Sequence, residues 1–290
     1  MSFVDIFNDR EKAIIIWVLI LLVWCFAQKS VRENVRAPFF SLLKILFVGK
    51  IGVGLFAMVS YVSLIVFLFY IVHLWDISLL KDTIYWFLGA AFIMFINISK
   101  VTEKSGYFKN VLLDNLKFSI ILEFIINLYV FNIFIELILV PLISVIIAMI
   151  TFSDKKKEYA QVKKILSALL SIIGLCLLFF AFIHVFGDFK DFATVQNAKS
   201  FLLPLVLTVT FLPFIYLLAL YATYDSFFVR VDIWLKENKK LARYTKWQIF
   251  RVCHINLKKL NKFSKKSSLE LMSIKNRSDV TRLIRQFKKG

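Results

Sequence analysis

Residues 112–152 read LLDNLKFSIILEFIINLYVFNIFIELILVPLISVIIAMITF, an apolar stretch interrupted only by Asp114, Lys117, Glu123 and Glu136. As one helix it reaches about 60 Å at 1.5 Å per residue, twice a hydrocarbon core of about 30 Å. Its flanks say how the excess is accommodated. Before it come Lys100, Lys104, Lys109 and Lys117 against Glu103 and Asp114. After it come Lys155, Lys156, Lys157, Lys163 and Lys164 against Asp154 and Glu158. Short cytoplasmic loops are the ones enriched in Lys and Arg. Both ends therefore belong inside, and the run must enter the membrane and return. The expected division lies near Asn132, giving helices over 112–131 and 135–152 that turn between Tyr129 and Glu136. A shallower re-entrant hairpin keeps the same sidedness. Neither Gly nor Pro marks that turn, which weakens the signal for it.

Outward from this run the same pattern recurs. Ala13–Ala27, Ile51–Val72, Ile84–Ile98, Ile165–Phe186 and Phe201–Thr223 are apolar and about bilayer length. The stretch after the first holds Lys29, Arg32, Arg36, Lys44 and Lys50 against Glu33, hence inside. Asp76, Lys81 and Asp82 follow the second, hence outside; so does the near-neutral 187–200 loop with Asp188, Lys190, Asp191 and Lys199. Seven spans with an outside N-terminus and an inside C-terminus satisfy every connection.

Composition agrees: 60% of residues are hydrophobic, too many for a soluble core of this size, and only 8 Gly and 4 Pro interrupt them. The fold class expected is an all-α polytopic bundle over residues 1–224 with a basic helical cytoplasmic tail over 225–290. A membrane barrel needs alternating segments of roughly ten residues, and none is visible. Residues 1–12 carry Asp5, Asp9, Arg10, Glu11 and Lys12, and no small-x-small site follows Ala13–Ala27. That run reads as a retained span rather than a cleaved signal. Pro38 suits the first turn of an interfacial helix over 38–50, whose Lys44 and Lys50 snorkel. Trp75, Tyr85, Trp86 and Tyr107 read as interfacial anchors.

The tail from Asp225 holds 18 Lys plus Arg against 5 Asp plus Glu, most of the chain's formal charge of +18. It also carries helical stripes: Phe227, Phe228, Val231, Trp234 and Leu235; Trp247, Phe250, His254, Leu257 and Leu260; Val280, Leu283, Ile284 and Phe287. Residues 264–268 read as a linker. Lys236, Lys239, Lys240, Arg243, Lys246, Arg251, Lys258 and Lys259 are the expected contacts to an anionic bilayer or a cytosolic protein partner. No nucleic-acid-binding module is recognisable, so nucleic acid is the least favoured partner.

An ionisable group within a span is a candidate functional site. Glu123, with Asn127 one turn later, and Glu136 at the solvated external turn form the candidate ion or proton pathway. His184 with Asp188 and Asp191 is a weaker metal candidate, and Asn97 and Asn132 suit helix or turn hydrogen bonds. Gly49, Gly52 and Gly54 suit close helix packing, while Pro204 and Pro213 should bend the last span, with Thr208 and Thr210 satisfying the freed carbonyls. The three cysteines suggest neither disulfide nor metal, and no cofactor motif or catalytic signature is present. The expected function is a non-enzymatic, pore-forming or membrane-perturbing subunit of a homo-oligomer, controlled through its tail. A membrane anchor recruiting a cytosolic partner is the alternative, and a lipid-modifying enzyme the third. The Lys- and Ile-rich composition suggests an AT-rich bacterial genome and a plasma-membrane location.

Overall fold

The computed structural model describes residues 7–98, 101, 129–155, 157–187, 194–266, 270–271 and 274–289, and every regular element among them is helical. The principal helices are α1 (Asp9–Ala27), α2 (Lys29–Phe47), α3 (Lys50–Ile71), α4 (Ile77–Ile96), α5 (Ile133–Ser153), α6 (Ala160–Gly187), α7 (Val195–Trp234), α8 (Lys239–Cys253), α9 (Leu257–Lys266) and α10 (Arg277–Lys289). Five of them, α3 to α7, are long and apolar enough to cross a bilayer. The first span begins at Asp9 rather than Ala13, so its first turn carries four charges, and it qualifies only jointly with α2. The expected span over 112–131, with Glu123, Asn127 and Tyr107, lies outside the described residues.

The chain forms two compact units. The first comprises residues 1–56, 76–81 and 115–203. Here Asn8 caps α1 in a reciprocal capping box with Glu11, satisfying two orphan backbone donors. α1 packs on α5, and α5 on α6. One contact repairs a defect. Pro141 lies inside α5 and has no N–H for the carbonyl of Leu137, four residues earlier. The indole Nε1–H of Trp17 donates to that oxygen at 2.9 Å, joining α1 to α5 where α5 lacks its own bond.

α2 departs from expectation. It starts at Lys29, so Pro38 stands in mid-helix rather than in the first turn. The chain bends by 111° on leaving α1, and Phe39 and Phe40 remain exposed. The passage from α2 to α3 depends on glycine. Gly49 is left-handed at φ +86°, and a Cβ at Gly52 would sit 2.5 Å from the Phe47 carbonyl oxygen. These glycines serve the turn between helices.

The second unit comprises residues 57–75, 82–114 and 204–290. The Tyr61 hydroxyl of α3 donates to the Thr210 carbonyl of α7 at 2.8 Å, and its ring stacks on Phe214. Trp86 of α4 donates to Thr208 Oγ1 at 2.9 Å and meets Phe211 edge-on. Trp75 donates to Thr83. Both tryptophans are buried, with their indole N–H groups spent on threonines of this unit; Tyr85 stays exposed. The threonines also depart from expectation. Pro204 and Pro213 free the carbonyls of Ser200 and Val209, whereas Thr208 donates to Pro204 O and Thr210 to Val206 O and Leu207 O.

α7 runs unbroken from the apolar stretch into the basic segment, past residue 224. Its buried stripe continues with it: Leu207, Phe211, Ile215, Ala219, Tyr224, Phe227 and Val231. Beyond Trp234 the chain reverses at Asn238, whose side chain caps α8 by accepting from Leu241 N–H. α8 packs on α9 and α10. Ile249, Leu260, Phe263 and Val280 are fully buried together with Phe227, and Phe263 meets both Phe227 and Phe287 edge-on. The stripe of the last helix, together with Leu257, Leu260 and Phe263, is thus spent on a core of its own, whereas Trp247, Phe250 and His254 of the second expected stripe stay exposed.

Candidate functional site

Two polar constellations stand out, one in each unit. In the first, Glu136 occupies the opening turn of α5 and is completely buried. It is not the solvated turn residue expected. The guanidinium of Arg10 grips it, Nε lying 3.1 Å from Oε2 and Nη2 2.9 Å from Oε1; the backbone N–H of Phe131 donates to Oε1 at 3.1 Å. A carboxylate removed from water needs this saturation, because desolvating an ion costs several kcal/mol unless its lone pairs are filled. Asn132 caps the helix just before it, so the break in the long apolar run uses an asparagine instead of Gly or Pro.

Further charges gather around this pair in the same unit. Lys81 reaches Glu11 at 3.2 Å, Lys199 reaches Asp76 at 3.5 Å, and Gln196 donates to Ser78. The Ser78 hydroxyl, first among several donors, holds the Asp76 carboxyl below its ordinary range. The start of α1, the connections at 76–81 and 129–136, and the start of α7 are thereby joined at one end of the unit.

The other members of the expected pathway, Glu123 and Asn127, lie outside the described residues. So do Asp188 and Asp191; His184 engages the Phe180 carbonyl at 2.9 Å and the rings of Phe180 and Tyr129. Among the described residues no three His, Cys, Asp or Glu are grouped to hold a metal. Asn97 donates to Ile93 O at the end of α4.

The second constellation is the C-terminal helical module. Its outward face is basic: Lys236, Lys239, Lys240, Arg243, Arg251, Lys258 and Lys259 are exposed, and Lys246 is half-buried against Asp232. Arg251 lies over the Trp247 ring at 5.2 Å. The inner side of the module is tied to α7. Tyr216 donates to Ile255 O at 2.6 Å and Tyr224 to His254 O at 2.7 Å, while Leu257 N–H donates back to Tyr216. Those two tyrosines are eight residues apart and so share one helix face. His254, left-handed at φ 46°, makes the sharp corner they hold.

Beside that corner Cys253 is buried, and desolvation pushes its thiol up to about 11 against the opposing pull of Lys259. Because the fold keeps this proton, its stability is undiminished below the ordinary thiol range near 8.5 and declines as pH rises towards 11. At pH 8 iodoacetamide is expected to alkylate Cys253 roughly 100-fold more slowly than an unfolded cysteine. Peptide mapping by mass spectrometry reads this directly, and labelling at the unfolded rate would show the corner to be open.

Sequence reasoning missed Arg10, Trp17 and the two tyrosines. Arg10 had one signal, a guanidinium adjoining an apolar span; Trp17 had another, an indole on a helix in a protein with an intrahelical proline. No family model matches this chain, and no curated protein or solved structure is similar to it.

Proposed function

We propose that the chain is a non-enzymatic, multi-pass membrane protein of a bacterial plasma membrane, with its C-terminal module in the cytoplasm. In this reading it is a pore-forming or membrane-perturbing subunit whose state is set through the basic module. The single observation that carries the reading is α7. One helix of 40 residues supplies both an apolar span and part of the module's core, and Tyr216 and Tyr224 fasten the module's corner to it. A displacement of the module has a rigid path into the spanning helices. Lys and Arg on the outward face supply the handle for an anionic bilayer or a cytosolic partner. Extensive apolar surface on α5 and α6 favours association with lipid and with further copies of the chain.

The test is ion flux from vesicles carrying the intact protein, compared with Tyr216→Phe/Tyr224→Phe. The two substitutions remove three hydrogen bonds of about 1 kcal/mol each, so the pair is expected to shift an open–closed balance by roughly 150-fold. Flux that is present and unchanged in the variant removes α7 as the link. Absence of flux under all conditions turns the reading to its alternative, a membrane anchor that recruits a cytosolic protein on the module's exposed basic face.

A further inference from the structure

Where α7 ends and α8 folds back beside it, the chain leaves an open cleft of about 320 Å³. Its walls are cationic. Lys236 comes from the turn just after α7, and Lys239, Arg243 and Lys246 come from one face of α8, spaced at four, three and seven residues as a helix face requires. Asp232 is the one acid lining it, and it is occupied by Lys246. Among the described residues no carboxylate pairs with Lys236, Lys239 or Arg243. The cleft thus concentrates a surplus of three positive charges. Leu235 and Ala242 form an apolar floor, so the cations ring the mouth of the cleft.

The helix that forms one wall runs counter to ordinary charge placement. α8 opens with Lys239 and Lys240 and has no acid in its first turn, although the positive end of a helix dipole favours the opposite sign. Repulsion among the cleft cations and repulsion from the helix end are both relieved by one multivalent anion. Phosphate is the chemistry that fits: ammonium and guanidinium groups together recognise dense oxyanion charge, Arg as a fork and Lys as point charges. A volume of this size admits a small molecule.

Position separates two sources of phosphate. The residues from Ser200 to Tyr224 carry no charge, and Asp225 is the first charge after them. Tyr216 already bonds the module's corner, and Asp232 lies sixteen residues beyond it, about 24 Å further along the helix. The headgroup layer is only about 5–7 Å deep on each side. The cleft therefore stands in water beyond the headgroups, whereas the exposed Phe250 and Ile255 lie nearer the apolar stretch, beside Tyr224 and Tyr216.

We infer that this cleft binds a small, water-soluble ligand bearing two or more phosphates, the anion that acts on the basic module. The inference rests on the module being the controlling element, yet binding and flux are read separately. Tripolyphosphate, titrated calorimetrically into the intact protein in zwitterionic nanodiscs, is expected to bind with 1:1 stoichiometry per chain and weaken steeply with salt. Lys239→Glu/Arg243→Glu is expected to weaken it at least 10-fold. Lys258→Glu/Lys259→Glu, outside the cleft, is expected to leave it unchanged. Glu at position 239 suits the helix dipole, so an unaltered Tm separates lost binding from lost folding. Equal losses in both variants would overturn the cleft in favour of diffuse charge. Absence of tripolyphosphate binding, with cleft-dependent binding to vesicles containing a polyphosphorylated lipid, would overturn the soluble source and assign the same chemistry to a headgroup. Binding of neither overturns the inference outright. Binding that leaves flux unmoved retains the site and defeats the control reading alone.

Discussion

Glu136→Ala is expected to destabilise the protein by about 3–5 kcal/mol, the cost of leaving a guanidinium without its buried counter-ion. Glu136 is fully buried and Arg10 nearly so, which leaves little water to replace the lost carboxylate. The same substitution also orphans the Phe131 N–H and removes a favourable negative charge from the first turn of α5. Arg10→Met/Glu136→Leu tells the pair's desolvation from its attraction. Because two apolar groups need no partner, that double variant is expected to recover most of the stability lost by either single change. Thermal or denaturant unfolding of the parent, Arg10→Met, Glu136→Leu and the double variant in one detergent supplies the cycle. A single variant within about 0.5 kcal/mol of the parent, the range of a neutral surface substitution, would refute the buried pair.

The pair also shows where sequence legibility stopped. Hydropathy and run length make α3 to α7 visible, because a helix exposed to lipid must be apolar around its circumference. Three of the segments with few Lys and Arg meet in the Arg10–Glu136, Glu11–Lys81 and Asp76–Lys199 contacts. Which charge in those segments would be buried was not legible. Glu136 and Asp76 both flank apolar runs, yet one is sealed by Arg10 and the other remains half-exposed, and only three-dimensional packing distinguishes them. Pro141 was likewise readable as an interruption, but the compensating indole of Trp17 lies 120 positions from the Leu137 carbonyl it satisfies. The tail posed the converse difficulty. Its stripes at three and four residues look alike whether they lie on lipid or on one another, since periodicity specifies an apolar face and not what covers it.

That ambiguity makes Phe227 the decisive residue of the C-terminal module. Eighteen basic residues against five acidic ones repel one another when gathered into one body, so a compact module needs apolar cohesion to offset them. Phe227 supplies it at the junction of two structures. It is fully buried, lies on the continuous helix α7, meets Phe263 edge-on at 5.9 Å, and carries the Arg230 guanidinium over its face at 5.3 Å. Arg230 is itself fastened to Ser264 at 2.7 Å. Truncation to alanine removes the ring and leaves a cavity among α7, α9 and α10, with an expected loss of about 3–5 kcal/mol for the module. The spanning helices draw on other contacts, so the loss should be local. Two readouts locate it: tryptic cleavage at the Lys and Arg sites of 236–266 should accelerate more than 100-fold, and Cys253 should become alkylatable at pH 8 as its shielding disappears. The Trp86–Thr208 lock and the Tyr61 contact, higher on the same helix, should keep the apolar part of the unit resistant to both. If Phe227→Ala leaves proteolysis and Cys253 unchanged, the stripes are covered by lipid and not by one another. The basic face would then be a membrane-bound surface instead of a free one, and the path from the module through α7 to the spans would lose its physical basis.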